Sequence, residues 1–94
     1  MYGLIGRFKA QSGKRDELIG VMTAGAVHMP GCISYVIAKD PTDADAIWIT
    51  EVWDAKESHA GSLNIPGVKA TIQKAMPLIA GFDKHIETEP VSVA

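Results

Sequence analysis

The chain has 94 residues, of which 47% are hydrophobic and 21% charged, so it predicts a single folded domain over residues 1–94 rather than disorder. A formal net charge of −2 provides no basic surface for nucleic acid, and no apolar run reaches the roughly 20 residues that span a membrane. The single cysteine, Cys32, excludes an intramolecular disulfide, and the N-terminus lacks a signal-peptide pattern, so a cytoplasmic location is expected.

The first third of the chain predicts a strand followed by a helix. Residues 2–10 read as the strand, in which Gly3 and Gly6 mark a bulge or a close approach by another group. Ser12 is placed to cap a helix over about residues 13–28, whose first turn is acidic. One face of this helix is apolar at the i, i+3, i+4 spacing.

Two central strands carry the strongest pattern. Residues 32–39 and 46–53 are rich in β-branched and aromatic side chains, and both alternating faces of each strand are mostly apolar. A strand that is buried on one side only shows a polar second face. Something must therefore cover both sides of this sheet.

The last part of the chain predicts two more helices and a strand. Asp54 and Glu57 form a capping box for a short helix over about residues 55–63. Pro66 starts a further helix at its first position, Pro77 ends it, and a strand follows over about residues 81–88.

The order β-α-β-β-α(α)-β is that of the ferredoxin-like α+β fold, an antiparallel sheet with its helices on one face. The opposite face is apolar, and burying several hundred Å² of it contributes on the order of 10 kcal/mol at about 25 cal/mol per Å², less the cost of association. We therefore expect an obligate homodimer whose sheets pack face to face.

The candidate chemical groups are few. His28, His59 and His85 are not paired at helical spacing or clustered with Cys32, so no metal site is expected. His59 lies one turn before Leu63. It is either a histidine satisfied at the helix–sheet boundary or surface, or a base that lines a pocket.

Glu51 shares a strand face with Trp53, where a carboxylate is costly unless it is paired. It is either part of a structural ion pair, for which Arg7 on the first strand is a candidate partner, or an acid at an exposed edge. Trp53 is either a core residue or the aromatic wall of a pocket for a planar substrate.

The run from Glu51 to His59, a strand ending in Glu-x-Trp followed by a capped helix, resembles the motif of the antibiotic biosynthesis monooxygenase (ABM) family. The length and the element order match as well. The resemblance implies a dimeric α/β barrel of ferredoxin-like subunits. It also implies oxidation of quinols or polyketide anthrones by dioxygen, with no metal or flavin cofactor.

The resemblance also implies site residues. In the polyketide-oxidising branch a Tyr stands at His59, an Asn at Ile49 and an Arg near Gln73, whereas Trp53 matches the family's Trp. Many quinol-oxidising members carry a His where this chain has Ser62. We predict His59 as the catalytic base and a substrate-binding set of Trp53, Glu51, Ser62, Tyr35 and Gln73.

The predicted function is a cofactor-independent monooxygenase, similar to quinol monooxygenases, that oxidises a small quinol or polyphenol with dioxygen. Two alternatives stay open, because the fold alone does not imply catalysis. One is a non-catalytic module that binds or senses a small ligand on the same dimeric barrel. The other is an isomerase or lactone-processing enzyme.

Overall fold

The computed structural model describes residues 1–25 and 28–94. It contains β1 (Tyr2–Ala10), α1 (Arg15–Ala24), β2 (Cys32–Lys39), β3 (Ala46–Trp53), α2 (Lys56–Ser62), α3 (Pro66–Ala75), a 3₁₀ turn (Met76–Leu78) and β4 (Ile79–Thr88). The strands form one antiparallel sheet in the order β2-β3-β1-β4. The predicted ferredoxin-like α+β fold is confirmed, and β2 and β3 have the predicted limits.

The strand register decides which side chains face the helices. Tyr2 pairs with Trp53 and Phe8 with Ile47 across β1 and β3, so these four side chains project to the same side of the sheet. Phe8 and Ile47 pack there against Leu18 of α1 in the buried core. The helices therefore cover this side, which we call the helix face, and the other side is the outer face.

The predicted start of α1 is wrong. The helix begins at Arg15 after Lys14, and no side chain caps it. Gly13 has a φ of 75°, a left-handed conformation that cannot belong to the helix and that delays its first turn. Gly25 closes the helix, so His28 is not part of it, and residues 26–27 of the predicted helix lie outside the described residues.

The predicted capping box of α2 is also wrong. Ala55, with extended backbone, occupies the N-cap position without a side-chain hydrogen bond. The reason is a bond made by the residue that follows β3. The Asp54 backbone N–H donates to the carbonyl of Gly31 at 2.9 Å. Asp54 is thereby held to the turn before β2, one residue too early to cap the helix.

The sequence predicted a bulge or a close approach at Gly3 and Gly6 of β1, and the structure shows both features at different places. Its pairing with β4 shifts between Arg7 and Phe8 and again between Lys9 and Ala10, so the bulges do not lie at the glycines. At Gly3 the expected close approach is present, since a Cβ there would collide with the Thr88 side chain. No helix within the described ranges is long and apolar enough to cross a membrane.

Candidate active site

A cavity of about 320 Å³ lies between the helix face of the sheet and the helices. Most of its wall is apolar, and its larger apolar lining residues include Met22, Val68, Ile72, Met76, Ile79 and Phe82. Val68, Ile72 and Met76 share one face of α3 and its extension, as their i, i+4 spacing predicts. A small apolar ligand with few polar groups suits a cavity of this kind.

The polar part of the cavity is built by the end of β3 and by α2. Alternation along the strand places Glu51 and Trp53 on the helix face, and the Trp53 indole Nε1 donates to Glu51 Oε1 at 3.0 Å. His59 Nε2 lies 3.9 Å from the same oxygen. The imidazole also meets the indole edge-on, with centroids 5.4 Å apart and planes at 76°. Two groups that exchange protons, Glu51 and His59, and one N–H donor, Trp53, therefore converge at one place.

Ser62 stands one turn beyond His59 on α2. Its hydroxyl donates to the His59 carbonyl at 2.6 Å, and the side chain is buried at the cavity wall. This bond leaves the imidazole free while it fixes the turn that carries it.

Burial governs the electrostatics of the site. It raises the pKa of Glu51, whereas the Trp53 N–H and the nearby His59 and His85 act to lower that pKa. Burial, with the charge of Glu51, raises the pKa of Tyr35 to about 12. Tyr35 therefore keeps its proton near neutral pH and offers the cavity an O–H donor.

The register places the polar and apolar ends of the cavity apart. Glu51 pairs with Leu4 on β1, whereas Phe82 pairs with Phe8. Four residues along β1 correspond to about 14 Å at roughly 3.4 Å per residue. A ligand that filled the cavity would hold its polar group near Glu51 and extend an apolar part toward Phe82.

The structure brings most of the predicted site residues together. Glu51, Trp53, His59, Ser62 and Tyr35 all line the cavity. Gln73 is exposed on α3 and is not among the lining residues, because the cavity side of that helix passes through Thr71 and Ile72.

The predicted ion pair between Arg7 and Glu51 is wrong. Arg7 pairs with Trp48 in the β1–β3 register, which places it on the outer face. There its guanidinium contacts the carboxylates of Asp40, Asp43 and Asp83. Glu51 is instead satisfied by its own strand neighbour Trp53.

Two residues of the site, Tyr2 and Met29, were not predicted from the sequence. Tyr2 contacts His59, with ring centroids 5.8 Å apart, and no local pattern signals a contact between residues so distant in sequence. Met29 lines the cavity from the segment before β2, where no periodic pattern exists. Within the described residues no three His, Cys, Asp or Glu side chains are grouped to hold a metal ion.

The ferredoxin-like fold with an apolar cavity and one polar end defines a class of small ligand-binding or catalytic domains. Sequence comparison shows the family within that class. The sequence pattern of the antibiotic biosynthesis monooxygenase family matches residues 1–74, and the chain belongs to this family. None of the curated proteins matches the chain.

Solved structures agree with this assignment. A Chloroflexus aurantiacus J-10-fl protein named for this family is 56% identical, has a TM-score of 0.95, and matches over 99% of this chain and 95% of its own. A Nitrosomonas europaea protein named for the same family is 13% identical, with a TM-score of 0.86 over 98% of this chain and 100% of its own.

A mutant of SnoaB, described as a cofactor-independent oxygenase from Streptomyces nogalater, is 16% identical with a TM-score of 0.80. The match covers 98% of this chain and 94% of that protein. At such low identity this likeness, like that to the Nitrosomonas protein, shows the fold alone.

Proposed function

We propose that this chain is a monooxygenase that oxidises a small quinol or polyphenol with dioxygen and uses no metal or flavin. The observation that carries the proposal is the contact of His59 with Glu51 at the polar end of an otherwise apolar cavity. Histidine suits proton transfer near neutral pH, and a carboxylate beside it stabilises the imidazolium that forms. Family membership supports the same reaction class.

The first step is removal of a phenolic proton by His59. The phenolate that results is rich enough in electrons to reduce dioxygen directly. Glu51 faces the imidazole through the same oxygen that accepts the Trp53 N–H bond, so the carboxylate is already oriented before the proton moves. Preorganisation of this kind lowers the barrier because no reorientation is needed during reaction.

The overall reaction balances without a further reductant. One dihydroxybenzene and one O₂ give one hydroxyquinone and one water, so one oxygen atom enters the ring and the other leaves in water. The substrate supplies all four electrons. The chain contributes a mostly apolar cavity, the indole of Trp53 as an aromatic wall, and the Tyr35 hydroxyl as a donor to the oxygen that becomes anionic.

Oxygen uptake with a panel of dihydroxybenzenes and dihydroxynaphthalenes tests the proposal. With ¹⁸O₂, one labelled atom should enter the quinone, and added catalase should return no oxygen. His59→Gln should lower kcat by about 10² or more, the usual contribution of a general base. His28→Gln is the matched control, because His28 is exposed and is not among the residues that line the cavity.

Two results would contradict the proposal in different ways. Full activity in His59→Gln would remove His59 as the base. Tight binding of phenols by a chain that consumes no oxygen would favour the binding or sensing module instead.

We further propose that the chain forms a homodimer through the outer face. Ile86, Ile5, Thr50 and Val36 form one row across all four strands on this face. Val36 is 50% and Ile86 48% exposed in the single chain. A second copy packed on this row would remove apolar area from water, which favours association.

Sedimentation velocity at micromolar concentration tests the dimer. The wild-type chain should sediment as a dimer, and Val36→Lys should shift it to monomer because a charge would be buried in the interface. Val91→Lys, in the exposed tail, should leave the dimer intact. A monomeric wild-type chain would refute the proposal.

A further inference from the structure

We propose that Tyr2 is a positioning residue that holds the His59 imidazole against Glu51. The inference rests on the proposed role of His59, but the contact can be tested without any activity.

The strand register places Tyr2 beneath His59. Tyr2 lies directly opposite Trp53 across β1 and β3, so both rings stand side by side on the helix face. The imidazole contacts both of them, with centroids 5.8 Å from Tyr2 and 5.4 Å from Trp53. Tilted and edge-on arrangements at these distances are favourable for aromatic rings. The two rings therefore support the imidazole from two sides.

Tyr2 is itself held in place from the far side. Lys56 Nζ lies 5.9 Å from the Tyr2 ring centroid and 3.1 Å from Glu87 Oε2. The Glu87 carboxylate also lies close enough to raise the pKa of the Tyr2 phenol. Because Lys56 begins α2 and Glu87 belongs to β4, their ion pair joins the helix that carries His59 to the far strand beside the Tyr2 ring.

Tyr2 is suited to positioning rather than to proton transfer. Burial, followed by the interaction with Glu87, raises the pKa of Tyr2 to about 12, so its phenol keeps its proton near neutral pH. Tyr2 is also not among the residues that line the cavity. Its effect on a bound substrate must therefore pass through the cavity residues beside it, His59 and Trp53.

The imidazole needs this support because its surroundings do not enclose it. The His59 side chain is 22% exposed, and its distance to Glu51 Oε1 is 3.9 Å, too long for a hydrogen bond. The groups that face it are Glu51 and Trp53 from β3 and Tyr2 from β1. Without the Tyr2 ring, rotation of χ1 would carry the imidazole toward solvent and away from the carboxylate.

Proton NMR of the wild-type chain, Tyr2→Phe and Tyr2→Leu tests the inference. The wild-type chain should show nuclear Overhauser contacts between the Tyr2 and His59 rings. Tyr2→Leu should shift and broaden the His59 ring signals, whereas Tyr2→Phe should preserve them. The signals of the exposed His28 serve as an internal control and should not move.

The steady-state kinetics of the same variants provide a second test. Aromatic pairs contribute about 0.5–1.5 kcal/mol, which at roughly 1.36 kcal/mol per factor of ten predicts a two- to tenfold fall in kcat for Tyr2→Leu. KM should change little, and Tyr2→Phe should restore kcat. In a His59→Gln background Tyr2→Leu should have no further effect.

The outcomes separate the two hypotheses. Absence of the ring-to-ring contact in the wild-type chain, or unchanged His59 signals in Tyr2→Leu, would overturn the positioning role, and the wild-type measurement remains decisive if Tyr2→Leu does not fold. An equal loss of kcat from Tyr2→Leu with and without His59 would also overturn it. A wild-type chain that consumes no oxygen would refute the proposed function, while the NMR arm would still decide whether Tyr2 holds His59.

Discussion

Trp53→Phe isolates the bond that keeps Glu51 in place beneath the helices. Trp53 is fully buried, and its indole N–H donates to Glu51 Oε1 at 3.0 Å. Phenylalanine keeps an aromatic ring but removes the donor. The substitution therefore leaves a largely buried carboxylate without the strand neighbour that satisfies it.

The structure sets the expected magnitude. Loss of the smaller second ring costs about 1 kcal/mol in lost packing and cavity formation. A buried acceptor that loses its donor costs a further 1–3 kcal/mol, roughly, because the group is not resolvated. We expect the free energy of unfolding to fall by about 2–4 kcal/mol in total.

The loss should depend on pH with a definite sign. The pKa of Glu51 is raised by burial and held down by the Trp53 N–H, so Trp53→Phe raises it further. A carboxyl whose folded pKa exceeds its unfolded value contributes stability below the unfolded pKa, and this contribution is lost as pH rises through the folded pKa. The variant should therefore be more strongly destabilised near neutral pH than below about pH 4.

Urea unfolding at fixed protein concentration measures this effect. The fluorescence of Trp48, the tryptophan that the variant keeps, reports the unfolding. Fixed concentration matters because association adds to apparent stability. A double-mutant cycle of Trp53→Phe with Glu51→Leu should return a coupling of about 1 kcal/mol or more. Additive losses, or a loss that is larger in acid, would refute the assignment of this bond.

Two further predictions concern the turns that frame β2. The pKa of Asp40 is lowered well below its ordinary value of 3.8, first by the Thr42 backbone N–H. The stabilisation that Asp40 provides is therefore present above about pH 4 and is lost in more acidic solution. Asp40→Asn should flatten the acid side of a melting-temperature profile, and an unchanged profile would contradict this. Gly31 has a φ of 84°, and a Cβ there would lie 2.6 Å from Asp54 Oδ1 and from Ser58 Oγ. Gly31→Ala should cost about 1–3 kcal/mol in thermal unfolding, and a stabilised variant would show that the turn adapts.

Local patterns in the sequence determined much of the fold. The limits of β2 and β3 follow from their runs of β-branched and aromatic residues, and α3 begins at the predicted Pro66. The two apolar faces of β3 also follow from side-chain alternation, a property of adjacent residues. The same local signal placed Glu51 and Trp53 together and His59 on the helix that follows.

The first residues of α1 and α2 could not be predicted from the sequence. Backbone conformations at single residues decided them: the positive φ of Gly13 delays α1, and the bond from Asp54 to Gly31 moves the cap of α2 to Ala55. A preference for a capping residue is worth only about 1 kcal/mol. Tertiary contacts of similar strength can therefore override it.

The sequence by itself determined the α+β element order and the residues at the end of β3 that carry the polar groups. Only the tertiary structure decided that Tyr2 lies against His59, that Arg7 belongs to the outer face, and that Gln73 is not part of the cavity lining. The physical reason is the distance along the chain over which the determining interactions act. Alternation and helical period are set by neighbouring residues, whereas strand register joins Tyr2 to Trp53 through the packing of the whole sheet.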